Sequence, residues 1–238
     1  MKPDVICGPR AVAALFDRRP DDALRLFYLS GQRPRVGPWC ATLAAARKPY
    51  RMVEADEMEK IAATPHHGGI AAVARPRVIP RLDSPALVPR HKLLLVLDGI
   101  GNPHNLGAIA RSAAFFGVPA LLLAETPGAA MPSDAAYRTA EGGLEWLDLF
   151  RTRDLPATLA MIAPQYRTVA ASLGPESRPL HELPRDRPVA LVLGNEEHGV
   201  SAPVLAACRR QVRIVGTSRV QSLNVAQAAA VLLHALCG

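Results

Sequence analysis

Three short stretches hold the residues whose types and spacing could do chemistry. In Leu193-Gly-Asn-Glu-Glu-His-Gly199, two glycines bracket Asn195 and Glu196 directly after the apolar run Val189 to Leu193. A buried strand that ends on glycine, with a carboxylate at its tip, is how an α/β sheet presents a ligand site at its C-terminal edge. An ordinary β–α turn would use the same residues, with Gly supplying a positive φ and Asn and Glu merely solvated. The second stretch, Ser222-Leu223-Asn224, opens the almost wholly apolar run Val225 to Leu236, and helix capping would equally favour Ser222 and Asn224 there. The third runs from Asp98 through Gly99, Gly101, His104 and Asn105 to Arg111, after the apolar run Leu93 to Leu97. With Asn105 as N-cap and a helix over 106–116, Leu106, Ile109, Ala113 and Phe116 share one face and Arg111 falls nearly opposite. An Arg on an exposed helix face is ordinarily just solvated.

The elements that would position these stretches follow from the hydrophobic pattern. Beyond residue 92, strands are expected at 93–97, 120–124, about 167–171, 189–193 and 212–215. Helices are expected at 106–116, about 133–141, 202–209 with Ser201 as a possible N-cap, and 225–236. Strands alternating with helices imply a mostly parallel sheet covered on both faces. The last helix is interrupted only by Gln227 and His234, which predicts burial on most sides. Residues 76–92 place Pro76, Pro80, Pro85 and Pro89 among basic side chains, a spacing that prevents helix and reads as an extended linker. Upstream, after Val5-Ile6-Cys7-Gly8, helices at Arg10 to Phe16, Trp39 to Arg47 and Ala55 to Ala63 and strands at Leu24 to Leu29, Tyr50 to Val53 and Ile70 to Val73 make a small α/β unit.

Charge divides the chain in the same place. Residues 1–90 carry 15 Lys+Arg against 9 Asp+Glu, whereas the remainder is close to neutral. A basic unit attached to a neutral engine suggests a nucleic-acid-facing module. Arg is also simply common in this chain, and Arg75, Arg77 and Arg81 could be solvating a linker. Cys7, Cys40, Cys208 and Cys237 are scattered, without C-x-x-C pairs or His at metal-ligand spacing, so no metal is expected and a reducing compartment is. The adjacent His66 and His67 lack a Cys or carboxylate companion. No leader opens at Met1 and no run reaches membrane-spanning length, so a cytoplasmic protein is expected, with no membrane partner.

Taken together, Asn102-Pro-His-Asn-Leu-Gly-Ala-Ile-Ala-Arg111, Leu193 to Gly199 and Ser222-Leu-Asn-Val225 resemble the three ordered motifs of the SpoU (TrmH-type) family of RNA ribose 2′-O-methyltransferases, within the SPOUT class. Arg138-Thr-Ala-Glu-Gly-Gly143 is similar to a further motif of that family, and residues 1–75, with Gly8 to Val12 and the turn before Ile70, resemble its L30e-like substrate-binding domain. The resemblance implies a C-terminal α/β trefoil-knot domain at 93–238 behind the 76–92 linker. It also implies S-adenosylmethionine bound in the knot, a homodimer with its site built across the interface, and an rRNA or tRNA substrate. It places Leu193, Gly194, Asn195, Gly199, Ile214 and Leu223 around the cofactor. Arg111 would meet the target phosphate and assist loss of the 2′-hydroxyl proton, held in place together with the ribose by Asn105, Glu196, Ser222 and Asn224. Glu197, Gln221 and Ala226 depart from the family pattern, the first by adding a carboxylate beside the cofactor loop.

Two rivals stay open at this stage. Asp98-Gly-Ile-Gly101 with Glu125 after the next apolar run has part of a Rossmann dinucleotide fingerprint, although His104 stands at the third glycine position. A knotted RNA-binding protein without turnover would keep the same motifs.

Overall fold

In the first part of the chain short apolar runs alternate with Gly, Pro and charged residues. The computed structural model, which describes residues 2–217 and 219–237, makes one short element of each. These are β1 (Asp4–Cys7), α1 (Pro9–Arg18), β2 (Ala23–Tyr28), α2 (Arg33–Ala45), β3 (Tyr50–Met52), α3 (Ala55–Ala62) and β4 (Ile70–Ala74). The four strands form a sheet in the order β1-β4-β2-β3, antiparallel except for the β2–β3 pair. Helix α2 begins at Arg33, ahead of the expected start at Trp39. Pro34 lies in its first turn, where a missing N–H costs nothing, and Pro38 is carried inside the helix.

The second sheet is built from β5 (Leu93–Asp98), α4 (Pro103–Phe115), β6 (Ala120–Ala124), α5 (Asp134–Ala140), β7 (Asp148–Thr152), α6 (Leu155–Ile162), β8 (Arg167–Ala171), β9 (Arg178–Pro179), β10 (Val189–Gly194), α7 (Ala202–Ala207), β11 (Arg210–Arg213) and α8 (Val225–Cys237). Its seven strands run in the order β7-β6-β5-β10-β8-β11-β9, all parallel. Every residue of β5, β6 and β10 is buried, as expected of central parallel strands covered on both faces. Alternation sorts the faces. Leu95, Leu97, Leu121, Leu191 and Leu193 share a core with α4, α5, α8 and α1, while Leu94, Val96, Leu122 and Val192 pack with α6 and α7.

Several expectations need correction. Strand β11 ends at Arg213, so Ile214 lies beyond it rather than within it. Strands β7 and β9 and helix α6 were not anticipated. In β7, Asp148 and Arg151 break the apolar run that would mark a buried strand, because it lies at the sheet edge. Helix α8 is not buried on most sides: only Ala229, Leu232 and Leu233 are, and Val231 is 44% exposed. The 76–92 segment is extended but pinned. The Arg77 guanidinium donates to the Leu144 carbonyl at 2.6 Å, Arg81 bridges β7 through Arg151, and a single 3-10 turn occupies Pro85–Leu87.

The two sheets meet through charge as well as apolar contact. Arg19, directly after α1, grips Glu145 with two parallel hydrogen bonds of 2.7 and 2.8 Å, with both side chains largely out of water. The Val5 N–H donates to Asp134 Oδ1 at 2.8 Å, so β1 is held by the first residue of α5.

Candidate functional site

Parallel register brings the ends of β5 and β10 side by side, with Gly194 opposite Asp98. The chain reverses there so tightly that a Cβ on Gly194 would overlap the backbone of Gly199 and Val200, so only glycine fits. Asn195 and Gly199 exchange two backbone hydrogen bonds of 2.9 Å, and Gly199 closes the turn at φ 70°. The Asn195 side chain holds both sides of this loop. Its amide donates to the Gly99 carbonyl at 2.8 Å, and its oxygen accepts from the N–H groups of Glu197 and His198. Buried Asp98 accepts from the Ser201 N–H at 2.8 Å. Ser201 starts α7 as expected, but it makes no side-chain cap.

Glu196 joins the three stretches. Its carboxylate accepts from the backbone N–H of Gly101 (3.2 Å) and Asn102 (3.4 Å) and from the Asn105 amide (2.7 Å). The Asn105 oxygen in turn accepts from the Asn224 amide at 3.2 Å, and the Asn224 oxygen accepts from the Ala226 N–H at the start of α8. Burial works to raise the Glu196 carboxyl, but the bonds from Asn105, Gly101 and Asn102 outweigh it and hold it below the usual carboxylate range. Asn105 does not cap α4, contrary to expectation. Asn102 does, accepting from the His104 N–H at 2.8 Å with Pro103 in the first turn, and this frees the Asn105 side chain to face Glu196.

The remaining cofactor candidates frame an open loop. Leu193 is buried beneath it, while Val215 to Thr217 and Arg219 to Leu223 are exposed and outside any helix or strand. Ile214 and Leu223 flank this segment, and Val215, Val220 and Leu223 are 65%, 72% and 45% exposed. Ser222 is exposed on the same loop. The Glu197 side chain points to solvent, 83% exposed, rather than into the loop.

Arg111 is not brought to this cluster within one chain. Its guanidinium pairs with Glu141 Oε1 at 3.1 Å, and Glu141 also pairs with Arg10 of α1 at 2.8 Å. Within the single chain Arg111 is paired with Glu141, a carboxylate the sequence did not single out, rather than with Asn105, Glu196, Ser222 or Asn224. Glu141 stands after α5 in the left-handed region at φ 46°, and a Cβ on the nearby Gly143 would lie 2.8 Å from the Arg111 Cα. Arg138 to Gly143 thus acts as the close-packed brace behind Arg111, which is the signal that could have revealed Glu141.

The Rossmann rival loses its ribose-binding acid. Glu125 is taken by Arg81, Arg151 and Arg153 at 3.3, 2.8 and 3.8 Å. Slight burial works to raise its carboxyl, and Arg81 and Arg151 overcome this to hold it below the usual range.

Residues 92–234 match the SpoU rRNA Methylase family, and residues 5–78 match the RNA 2′-O ribose methyltransferase substrate-binding family. The chain is 32% identical over 231 residues to the uncharacterized tRNA/rRNA methyltransferase YfiF of Escherichia coli O157:H7, covering 96% of this chain and 66% of that protein. It is 31% identical over 245 residues to the 23S rRNA (guanosine-2′-O-)-methyltransferase RlmB of Acinetobacter baylyi, covering 99% of this chain and 97% of the relative. The fold is similar to that of the AdoMet-bound rRNA methyltransferase from Sinorhizobium meliloti, with a TM-score of 0.77 at 22% identity over 98% of this chain and 85% of that one. With both halves matched in order, and the motif residues gathered at the C-terminal edge of one parallel sheet, the chain belongs to the SpoU rRNA methylase family.

Proposed function

We propose that this protein transfers a methyl group from S-adenosylmethionine to a ribose 2′-hydroxyl of structured RNA, either rRNA or tRNA. The observation that carries the reading is the Glu196–Asn105–Asn224 chain of hydrogen bonds, which ties all three motifs to one strand edge. The S. meliloti neighbour with this fold binds AdoMet, and the RlmB relative acts on a guanosine 2′-oxygen of 23S rRNA. The residues here fit that cofactor: the Gly194 turn leaves bare backbone, and exposed Val215, Val220 and Leu223 offer apolar surface that an adenine ring would cover.

The bound sulfonium supplies the leaving group, so the chain's own task is positioning and electrostatics. Gly194, Asn195 and Gly199 shape the loop, with Leu193, Ile214 and Leu223 around it. Glu196 and Asn105 fix the motif loops against one another, and Ser222 and Asn224 orient the ribose. Arg111 brings a planar cation rather than a base, so it acts as a charge that grips the target phosphate and favours ionisation of the 2′-hydroxyl. Phosphate or solvent then takes the proton.

The reading includes a homodimer with the C-terminal chain in a trefoil knot. Arg111 pairs with Glu141 rather than with the Glu196 cluster of its own chain, and Phe115 and Val231 are exposed apolar side chains on α4 and α8 that a second copy would cover. It also includes a domain boundary at 76–92, with 1–75 as the L30e-like RNA-binding domain and 93–238 as the methyltransferase domain, and a cytoplasmic location in which the four free cysteines stay reduced. No helix among the described residues is long and apolar enough to cross a membrane.

The decisive measurement compares 2′-O-methylation maps of rRNA and tRNA from cells with and without the gene, alongside calorimetry of S-adenosylmethionine on the full chain. One lost methylation site and donor binding are expected. An unchanged map with RNA binding intact would leave the binding-only reading, and binding of NAD instead of the methyl donor would revive the dinucleotide one.

A further inference from the structure

The proposed methyl-transfer site uses the C-terminal edge of the seven-stranded sheet, yet the more basic edge is the opposite one. Parallel register sets the first residues of β5, β10 and β8 next to one another: the Lys92 carbonyl accepts from the Val189 N–H, and the Pro188 carbonyl from the Arg167 N–H. The linker end Arg90-His91-Lys92 and the Arg185-Asp-Arg187 turn are thereby brought to one side of the molecule. A cleft of about 440 Å³ opens at this edge, lined by Arg90, His91 and Lys92 on one side and by Gln165, Tyr166 and Pro188 on the other, and the Arg185-Asp-Arg187 turn leads directly into its Pro188 wall.

This wall is fixed rather than trailing. The buried Tyr166 hydroxyl donates to the Pro89 carbonyl at 2.5 Å and accepts from the His91 N–H at 3.2 Å, so the basic run is clamped to the sheet. Acidic neutralisation is already spent: Asp186 is paired with Arg167 at 2.7 Å, and Arg187 caps α6 through the carbonyls of Ala163 and Pro164. Arg90, Lys92 and Arg185 are exposed and have no carboxylate partner among the described residues.

We propose that this edge is a second RNA contact, a rigid cationic cleft that takes backbone phosphates of the same RNA on the side of the sheet opposite the methyl-transfer loop. Strands of six residues at about 3.3 Å each set the two edges ~20 Å apart, a span a folded RNA bridges within one or two helical turns. The cleft lies outside residues 1–75, so the linker end and the seven-stranded sheet would hold RNA independently of that first unit. The inference rests on the RNA-binding reading above.

The test uses the full chain and an RNA hairpin of about 20 base pairs, comparing wild type with an Arg90→Gln, Lys92→Gln, Arg185→Gln variant. Affinity is measured against KCl concentration. Each phosphate contact contributes about 0.9 to the salt slope, so the variant is expected to lose about 2.7 from the slope and at least tenfold in affinity at ~0.15 M salt. Charges more than about 8 Å from RNA are screened at that ionic strength, so such a loss reports contact rather than net charge. Binding of S-adenosylmethionine and the thermal midpoint should stay unchanged.

Lysine acetylation gives a second reading that needs no variant. Lys92 is one of only four lysines in the chain. Saturating hairpin should slow its modification several-fold. If wild type and variant share one salt slope and Lys92 is acetylated equally fast with and without RNA, the proposal is wrong, and the edge is left for an acidic protein partner. If wild type binds no hairpin at all, the RNA-binding reading itself fails, and this inference with it.

Discussion

The two parts of helix α4 are held in different ways. At its start, Asn102, Asn105 and the loop before them are satisfied by Glu196 and Asn224 of the same chain, with every motif in contact. Further along, Arg111 is half-exposed and held by Glu141, which it shares with Arg10. A loop that holds a cofactor has to exist before the cofactor arrives, so its polar groups are paired in advance. In the role proposed for Arg111, a side chain that grips a phosphate must first leave its own partner, and an exposed ion pair worth a few tenths of a kcal/mol is a releasable tether.

The largest expected effect falls on the releasable end. Arg111→Ala should lower methyl transfer about a thousandfold, roughly 4 kcal/mol of lost transition-state stabilisation, with fold and donor binding intact. Arg111→Lys keeps the charge but loses the planar fork, and should recover little. Turnover by Arg111→Ala at the wild-type rate on a mapped site would erase the contrast between the two parts of the helix.

The prepaired end breaks next. Gly194→Ala forces a Cβ into the Gly199–Val200 backbone, which cannot move aside without opening the Asn195–Gly199 bridge. We expect a loss of about 3 kcal/mol in stability and of donor binding, read by thermal melting and calorimetry. An alanine variant that melts with wild type would mean the turn is not close-packed.

Glu196→Gln sharpens the comparison through pH. The folded Glu196 carboxyl is held below its unfolded value, so its contribution is present above the unfolded value near 4.5 and is lost as pH falls through the lower folded one. The variant should be about 1 kcal/mol less stable at neutral pH, a modest figure because the group is partly solvated, and the difference should shrink in acid. A pH-independent difference would show that the charge is not what Gly101, Asn102 and Asn105 recognise.

The smallest effect is assigned to the tether. Glu141→Gln should change stability by no more than about 0.5 kcal/mol. It should lower the KM for RNA while leaving kcat near wild type, since Arg111 would start free. A fall in kcat with KM unchanged would make Glu141 a support for the active geometry rather than a releasable hold.

Much of this was legible in the residues. Apolar runs bounded by Gly and Pro located β5, β6 and β10, because central parallel strands are buried on both faces and carry an unbroken signal. Edge strands carry none, and β7 and β9 were missed for that reason. Prolines misled twice, at α2 and at α4, where Pro34 and Pro103 sit in the first turn as starters rather than breakers. The apolar length of α8 predicted burial, yet the side that bears Val231 is open in the single chain, because composition reports only that a face wants cover and not which molecule supplies it.

By itself, the sequence determined which residues could do chemistry: Asn105, Arg111, Glu196, Ser222 and Asn224 carry their groups wherever the chain puts them, and their order along it identified the family. Tertiary structure alone decided which of them meet. Glu196 reaches Asn105 across a separation of 91 positions because two parallel strands end in register. Arg111, on the same helix as Asn105, meets Glu141 instead. Helical periodicity specifies the face from which a side chain leaves, but what stands opposite that face depends on how the elements pack, and local sequence does not encode that.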